Sequence, residues 1–318
     1  MWGQAKRQQM QASTSAELQQ WVNAQQGLLQ QCIDRLNYLI LDKPEQTRLA
    51  IICLLAGGHL LIEDLPGLGK TTLAQSISKI AGLHYQRIQF TNDMLASDII
   101  GVNIFNQQTQ QFEFKQGPVF TQILLADEIN RSSPKTQSAL LQAMEEQQVT
   151  LDGQHYDLPK PFWVIATQNP YDQSGTHALP ESQLDRFLMR ISMGYPSREA
   201  ERQLLLQDTR QQMVTQLTAL LNDCILIELQ QKVAEIFVSD AILDYILDLS
   251  AQTRLDRQGL STRGVLALKR AAQAAALLSG RAYVMPEDVQ LVFSSVVAHR
   301  MGISKERCDA LMKTVVLV

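Results

Sequence analysis

The segment EDLPGLGKTTLA, from Glu63 to Ala74, indicates a phosphate-binding loop between a strand and a helix. It follows the short apolar run HLLIED and leads into KTTLAQSISKIAG, a helical pattern that ends at Gly82. In this arrangement main-chain NH groups at the start of a helix can surround a phosphate. The segment therefore predicts a nucleotide-binding α/β fold.

The residue types in this loop suit a nucleoside triphosphate. Gly67 and Gly69 permit unusual backbone dihedrals, Lys70 can reach the β- and γ-phosphates, and the Thr71 hydroxyl can bind Mg²⁺. Such loops usually begin with glycine where this chain has Asp64, so we expect the Asp64 carboxylate to point away from the nucleotide. An ordinary glycine-rich turn is the structural alternative. The predicted nucleotide-binding residues are Asp64, Leu65, Pro66, Gly67, Leu68, Gly69, Lys70, Thr71 and Thr72.

A second motif, ILLADEIN, places Asp127 and Glu128 at the end of another apolar run. One carboxylate can hold the water shell of a metal ion, and the next can orient the attacking water. Two solvated acids at a strand end are the alternative, which the upstream loop disfavours. Asp127 is therefore a predicted metal ligand together with Thr71, and Glu128 is a predicted catalytic residue.

Three further polar residues are candidates for catalysis. Asn169, in VIATQNP, follows a predicted strand and could contact the γ-phosphate or simply form a turn. Arg186, in LPESQLDRF, could reach a neighbouring subunit or pair within the chain with Asp185 or Glu181. Arg263, in GLSTRG, could report the γ-phosphate to a second domain or remain a surface arginine.

The alternation of apolar runs with helical segments predicts a parallel sheet covered by helices on both faces. The predicted strands after the first are YQRIQF, QILLAD, FWVIAT and LMRISM. Two insertions, VNIFNQQTQQFEFKQG and QVTLDGQHYDLP, indicate β-hairpins, the second turning at its Asp-Gly pair. Beyond Pro196 the strand signals stop, and helical patterns follow Ser239, Ser261 and Pro286. We predict a Gln-rich extension over 1–27, an α/β core over 28–195 and a helical domain over 196–318.

Composition is typical of a globular protein, with 45% hydrophobic and 19% charged residues among 318. The net charge of −4 does not match the basic surface of a protein that coats nucleic acid. Four cysteines without a CxxC pair indicate free thiols. No secretory signal or apolar run of about 20 residues is visible, which predicts a cytoplasmic protein without a membrane span.

Together these motifs resemble the MoxR branch of the AAA+ ATPases from about Ile33 onward. The resemblance is carried by EDLPGLGKTTLA, RIQFTNDMLASDIIG, GPVFTQILLADEINRSSPKTQSALLQAMEE, QVTLDG, FWVIATQNP, LPESQLDRF, STRG and YVMPEDVQ. An acidic residue at the first loop position is familiar in that family. The chain departs from the family pattern at Thr262 and Ala96, where proline is common.

The resemblance implies an AAA+ core with a helical lid, and a role for each candidate residue. It assigns the first hairpin to the helix-two insert and the second to the hairpin that precedes sensor one. The implied assignments are Lys70 and Thr71 to Walker A, Asp127 and Glu128 to Walker B, Asn169 to sensor one, Arg186 to the arginine finger and Arg263 to sensor two.

The same resemblance implies a Mg²⁺-dependent ATPase that forms a ring, expected to be a hexamer. Its implied clients are proteins with von Willebrand factor A domains, which it would remodel. Two alternatives are a nucleic-acid motor related to the minichromosome maintenance helicases and a non-hydrolysing, nucleotide-gated scaffold. The hairpin tips NQQTQQ and LDGQHY carry no Lys or Arg, which argues against strand tracking, so we expect no nucleic-acid partner.

Overall fold

Every apolar run that predicted a strand forms one. The computed structural model describes residues 2–170, 175–206, 210–255 and 259–315. Its strands are β1 His59–Glu63, β2 Tyr85–Gln89, β3 Gly101–Asn106, β4 Gln111–Gln116, β5 Ile123–Asp127, β6 Gln148–Leu151, β7 Gln154–Asp157, β8 Trp163–Gln168 and β9 Phe187–Ile191. Five of them form a parallel sheet in the order β2-β5-β8-β1-β9. This confirms the predicted parallel sheet.

The helices surround this sheet and continue beyond it. They are α1 Trp2–Leu39, α2 Pro44–Leu55, α3 Lys70–Ala81, α4 Ala96–Ile100, α5 Pro134–Glu146, α6 Glu181–Leu184, α7 Arg198–Leu206, α8 Arg210–Thr215, α9 Asp223–Val233, α10 Asp240–Leu255, α11 Thr262–Leu278, α12 Pro286–Met301 and α13 Lys305–Met312. A 3₁₀ turn spans Ile129–Arg131. Helix α1 continues without a break across the boundary that we predict between residues 27 and 28. The domain boundaries remain predictions.

Local sequence sets several of the helix ends. Pro44 opens α2, where its missing NH costs no hydrogen bond. The Ser133 hydroxyl accepts from the NH of Thr136 at 3.2 Å and caps α5. Gly82 adopts the left-handed conformation, with φ of 65°, and ends α3. These boundaries hold α3 and α5 against the sheet in fixed positions.

Alternate strand residues enter two separate hydrophobic clusters, because successive side chains of a strand point to opposite faces of the sheet. Leu60 and Ile62 of β1 join a cluster that includes α2, α3 and the carboxy-terminal helices. Leu61, between them, joins a second cluster that includes buried residues of α5. Both faces of the sheet are therefore covered by helices, which confirms the predicted α/β class.

The carboxy-terminal part of the described chain is helical. The patterns after Ser239, Ser261 and Pro286 form α10, α11 and α12, as predicted. The structure adds α7, α8, α9 and α13, which the sequence analysis did not locate. Helix α11 packs against α12 and several other helices, and its buried alanines permit their close approach: Ala271, Ala272, Ala274, Ala275 and Ala276.

Both predicted insertions form antiparallel hairpins. Strands β3 and β4 pair from Gly101 to Gln116, and β6 pairs with β7. The second hairpin turns at Asp152 and Gly153, whose φ angles of 50° and 81° are those that an Asp-Gly turn favours. The two hairpins touch each other, since the ring of Phe114 stacks on that of Tyr156 with centroids 4.1 Å apart.

The parallel register aligns the strand ends at two edges of the sheet. Glu63 pairs with Gln168, and Gln89 pairs with Asp127, so four strands finish side by side. We call this side the carboxyl edge. The opposite side, where β1 begins at His59, is the amino edge. Every side chain that follows one of these four strands lies at the carboxyl edge, which is where α/β sheets bind ligands.

Candidate nucleotide site

The phosphate loop occupies the carboxyl edge between β1 and α3. Gly67 and Gly69 are left-handed, with φ of 83° and 85°, and a Cβ built on either glycine would meet open space. Gly69 is also the N-cap residue that directly precedes α3. The first NH groups of a helix have no carbonyl partner within it, so those of Lys70, Thr71 and Thr72 face the loop as donors. The loop thus has the shape and the donors that a phosphate requires.

Lys70 is the cation of this loop. Its side chain is buried, and its Nζ donates to the main-chain oxygen of Asp64 at 2.8 Å. Burial lowers the pKa of Lys70, whereas the carboxylates of Asp127, Asp64 and Glu128 act in the opposite direction. The lysine therefore lies in the field of the predicted metal-binding and catalytic acids.

The Asp64 carboxylate fastens the loop to the chain that follows β9. One oxygen accepts from the hydroxyl of Ser192 at 3.0 Å and from the NH of Gly194 at 2.7 Å. The other accepts from the NH of Leu65 at 2.9 Å. Both oxygens are engaged within the protein, in line with the expectation that this carboxylate points away from the nucleotide.

Asp127 ends β5 between two neighbours that sequence reasoning missed. The hydroxyl of Thr167, on β8, donates to its Oδ1 at 2.5 Å. The guanidinium of Arg87, on β2, pairs with its Oδ2 at 2.6 Å. Because β5 lies between β2 and β8, only the order of strands brings these three residues together.

The Glu128 carboxylate lies on the side of β5 that faces β2. Its Oε2 accepts from Nε2 of Gln89 at 2.8 Å and from Nε of Arg131 at 2.9 Å. Its backbone is left-handed, with φ of 57°, a conformation that is uncommon for a residue with a side chain. The NH of Glu128 donates to the Thr167 hydroxyl at 3.0 Å, which fixes this bend beside Asp127. In the sheet, β8 separates β5 from β1 and its phosphate loop.

Asn169 directly follows β8 at the same edge. It is half-buried, and its carbonyl accepts from Nδ2 of Asn130 at 3.4 Å. The NH of Asp64 donates to the carbonyl of Gln168 at 3.1 Å, so the loop and Asn169 leave adjacent strands. The structure therefore brings together the predicted loop, the two acids and the asparagine.

Arg186 and Arg263 lie elsewhere, at the amino edge. Arg186 directly precedes β9, whose first residue pairs with His59 at the start of β1. Arg263 lies in the first turn of α11. Both guanidiniums contact the carboxylate of Glu145 at the end of α5, Arg186 at 3.0 Å and Arg263 at 2.5 Å. The two predicted catalytic arginines are thus close to each other and separated from the phosphate loop by the length of the strands.

The carboxylate observed against Arg186 is that of Glu145, whereas the sequence analysis offered Asp185 or Glu181 as the partner within the chain. Asp185 instead pairs with Nε of Arg300 at 2.7 Å, and it accepts from the hydroxyl of Ser261 at 3.2 Å. The observed partner, Glu145, precedes Arg186 by 41 positions. No local pattern relates these residues, so the sequence alone could not identify the pair.

A cavity of about 420 Å³ opens between these groups. Its charged lining consists of four guanidiniums and two carboxylates, those of Arg186, Arg263, Arg270, Arg300, Glu145 and Asp185. Burial lowers the pKa of Arg270 and Arg300. The carboxylates cannot balance the guanidiniums in number, so this surface favours an added anion.

A second cavity, of about 430 Å³, adjoins the phosphate loop. Gly67, Gly69 and Thr72 line it on the loop side, and most of its remaining lining is apolar. Ile40 precedes the sheet and Tyr195 follows β9, so distant segments form its walls. An apolar pocket beside a phosphate loop suits a nucleoside base. The loop, its lysine and this pocket together fit ATP, and the hydroxyl and carboxylate donors fit Mg²⁺.

Comparison with known proteins adds a family context to this geometry. Residues 59–189 match the ATPase family associated with various cellular activities (AAA), and residues 253–313 match the AAA lid domain. The Bacillus subtilis protein YeaC is 44% identical over 282 residues, which are 88% of either chain. The chaperone MoxR1 of Mycobacterium tuberculosis is 38% identical over 287 residues, 86% of this chain and 75% of its own.

Solved structures include a similar fold. A crystal structure from Cytophaga hutchinsonii superposes with a TM-score of 0.85 at 33% identity, covering 97% of this chain and 99% of that one. No helix in the described ranges is long and apolar enough to cross a membrane.

Proposed function

Since the chain belongs to the MoxR family of AAA+ ATPases, we propose that it hydrolyses ATP at sites shared between neighbouring copies of itself. One observation carries this proposal: the phosphate loop and the two arginines lie at opposite edges of one sheet. The transferring phosphoryl group carries negative charge that a guanidinium stabilises. A chain whose own arginines are remote from its loop can supply them to the next chain.

At the carboxyl edge, the chain's own residues would bind and orient the substrate. Main-chain NH groups at the start of α3 would hold the β-phosphate, and Lys70 would move from the Asp64 carbonyl to the β- and γ-oxygens. Thr71 and Asp127 would hold Mg²⁺, which supplies charge neutralisation between the phosphates. The apolar cavity that Tyr195 and Ile40 line would take the adenine base.

Glu128 would orient the attacking water and accept its proton. In the present structure its carboxylate is held by Gln89 and Arg131 on the side of β2. To reach a water beside the γ-phosphate it must leave these donors. Asn169, which follows the strand next to the loop, would contact the γ-phosphate or that water.

We further propose that the copies form a closed ring, expected to be a hexamer, in the cytoplasm. In a closed ring each amino edge contacts the carboxyl edge of the next copy, so no edge is left without a partner. The relative from Mycobacterium tuberculosis is named a chaperone, which supports remodelling of client proteins. Proteins with von Willebrand factor A domains are the proposed clients, and rotation of the helical domain would move the hairpins against them.

The decisive experiment replaces the catalytic carboxylate. Glu128→Gln should still bind ATP but hydrolyse it about 10²-fold to 10⁴-fold more slowly, the usual contribution of a positioned base. Equilibrium dialysis and phosphate release would measure both. Hydrolysis at the normal rate in this variant contradicts the assigned role.

Mixing two inactive variants tests whether the site is shared. Arg186→Ala chains keep the carboxyl edge and Glu128→Gln chains keep the amino edge, so about one interface in four of an equal mixture carries both halves intact. Partial recovery of hydrolysis is expected. No recovery at any ratio contradicts sharing. Light scattering with ATP and Mg²⁺ should show a species of six copies, and a monomer in all nucleotide states contradicts the ring.

The Glu128→Gln chain also tests the client class. With ATP bound and hydrolysis blocked, it should retain its client, and the proteins that co-purify should include one with a von Willebrand factor A domain. Lys70→Ala, which cannot reach the ATP-bound state, serves as the control. A retained set without such a domain contradicts this client assignment and leaves the ATPase proposal in place.

A further inference from the structure

Glu145 holds the two remote arginines together. Its Oε2 lies 3.0 Å from Arg186, and its Oε1 lies 2.5 Å from Arg263. The three residues come from the end of α5, the start of β9 and the start of α11, so one carboxylate joins two elements of the core to the carboxy-terminal helices. The Glu145 side chain is 40% exposed, and the two arginines are 29% and 51% exposed. The group is therefore accessible to a neighbouring copy.

A carboxylate between two guanidiniums has a definite physical effect. The guanidiniums of Arg186 and Arg263 repel each other because both contact the same side chain, and the negative charge of the Glu145 carboxylate offsets that repulsion. Each guanidinium has five NH donors, and the contact to Glu145 leaves several of them available to a phosphate. Long arginine side chains also lose rotamer freedom when they bind, and holding them beforehand reduces that loss.

The backbone beneath the pair is tied as well. Ser261 caps α11, since its hydroxyl accepts from the NH of Gly264 at 3.0 Å, and the same hydroxyl donates to Asp185. Asp185 directly precedes Arg186 and pairs with the buried Arg300. The start of α11, which carries Arg263, is thereby fixed beside Arg186.

We propose that Glu145 is a positioning residue that presents Arg186 and Arg263 as one guanidinium pair to the γ-phosphate of the neighbouring copy. This inference rests on the proposed shared site. Glu145 does not touch the reacting atoms but acts through the two arginines. It is therefore part of the amino-edge half of the site, although it lies on the helix that follows the catalytic acids.

The test begins with Glu145→Gln, which keeps the shape of the side chain and removes its charge. Hydrolysis per chain should fall about tenfold to 10²-fold, because misplacing a catalytic group by about 1 Å can cost about 10²-fold. The Kd for ATP should stay unchanged, since the phosphate loop is intact. Glu146→Gln is the matched control, because Glu146 is the next residue on α5 and its carboxylate accepts from Gln142 instead.

Mixing experiments then assign the defect to one half of the site. Glu145→Gln chains should regain activity when mixed with Glu128→Gln chains, which carry an intact amino edge. They should regain none with Arg186→Ala chains, because neither partner then has an intact amino edge. A merely structural defect does not produce this pattern. Circular dichroism and ring assembly should match the unsubstituted chain, and Glu145→Ala repeats the test if the Gln variant assembles poorly.

Three results would overturn the inference while the proposed function stands. Full activity of Glu145→Gln shows that the arginines need no carboxylate, and increased activity shows that Glu145 restrains them. Recovery with Arg186→Ala chains assigns Glu145 to its own chain's loop. If Arg186→Ala and Glu128→Gln chains fail to restore each other, the shared site itself fails, and the inference fails with it.

Discussion

The two edges of the sheet differ in shape and in charge. At the carboxyl edge the buried Lys70 lies in the field of the carboxylates of Asp64, Asp127 and Glu128. At the amino edge four guanidiniums share two carboxylates around a cavity of about 420 Å³. The first edge has the shape to bind a triphosphate, and the second has the spare positive charge to act on one. The difference shows that one chain carries two unlike sites, and the proposed function joins them across neighbouring chains.

The largest expected effect separates binding from turnover. Lys70→Ala should lower both ATP affinity and hydrolysis, because it removes the cation inside the loop. Arg186→Ala should leave ATP affinity intact and lower hydrolysis about 10³-fold, as loss of an arginine finger does. Calorimetry and phosphate release measure the two quantities. Arg202→Ala, at an exposed arginine on α7, is the control, and loss of ATP binding in Arg186→Ala would abolish the distinction between the edges.

A second prediction concerns how the carboxyl edge is supported. Asp64→Ala removes the acceptor of Ser192 and of the Gly194 NH. The free energy of unfolding should fall by about 1.5–3 kcal/mol, the range for hydrogen bonds to charged groups. Urea unfolding without nucleotide measures this change. Asp64→Asn keeps one acceptor oxygen, so its free energy of unfolding should fall less. Equal stability of the unsubstituted chain and both variants would show that these bonds contribute nothing.

A third prediction concerns the restraint on Glu128. Gln89→Leu removes one of the two donors that hold its carboxylate on the β2 side. Since this hydrogen bond is exposed to solvent, it is worth about 1 kcal/mol net, so hydrolysis should rise about fivefold. Steady-state phosphate release at saturating ATP measures it. A fall in rate would show that Gln89 aims Glu128 at the water instead of holding it back.

The last prediction is a pH dependence of stability at the amino edge. Burial lowers the pKa of His59 to about 4 from its usual value of 6.5, and it lowers that of His299 well below the same value. Between pH 6.5 and 4, His59 binds a proton in the unfolded chain but stays neutral in the folded chain. Stability is therefore complete above pH 6.5 and decreases on acidification, by up to about 1.4 kcal/mol per pH unit for each histidine.

Urea unfolding between pH 7 and 5 checks this dependence. His59→Gln should reduce the slope, because glutamine can replace the contacts of a neutral imidazole to Met144 and Val164 without titrating. An unchanged slope in this variant would mean that His59 does not contribute. Arg186→Ala should keep the full slope, which separates the histidines of this edge from its arginines.

The loop, the strands, the hairpins and three of the lid helices could be predicted from sequence because each depends on neighbouring residues. Glycines beside Lys70, a period of two in the strands and an Asp-Gly turn are local signals. The chemistry of the candidate residues could also be anticipated, since Asp127 and Glu128 follow an apolar run. Their catalytic roles remain predictions.

The contacts around these residues could not be predicted. Arg87 and Thr167 reach Asp127 only because β2 and β8 flank β5. Gln89 restrains Glu128 for the same reason. The apolar cavity beside the loop is lined by segments that precede and follow the sheet in sequence. No pattern in the sequence predicts that these segments lie together.

The sequence by itself determined the phosphate loop, the acids and the alternation of strands and helices, because these depend on residue type and short-range periodicity. The tertiary structure alone decided that Arg186 and Arg263 share Glu145 at the edge opposite the loop. Strand direction sets which edge a residue reaches, and strand order sets which residues it meets. Both are fixed by packing of the whole chain, so the separation of these arginines from the phosphate loop exists only in three dimensions.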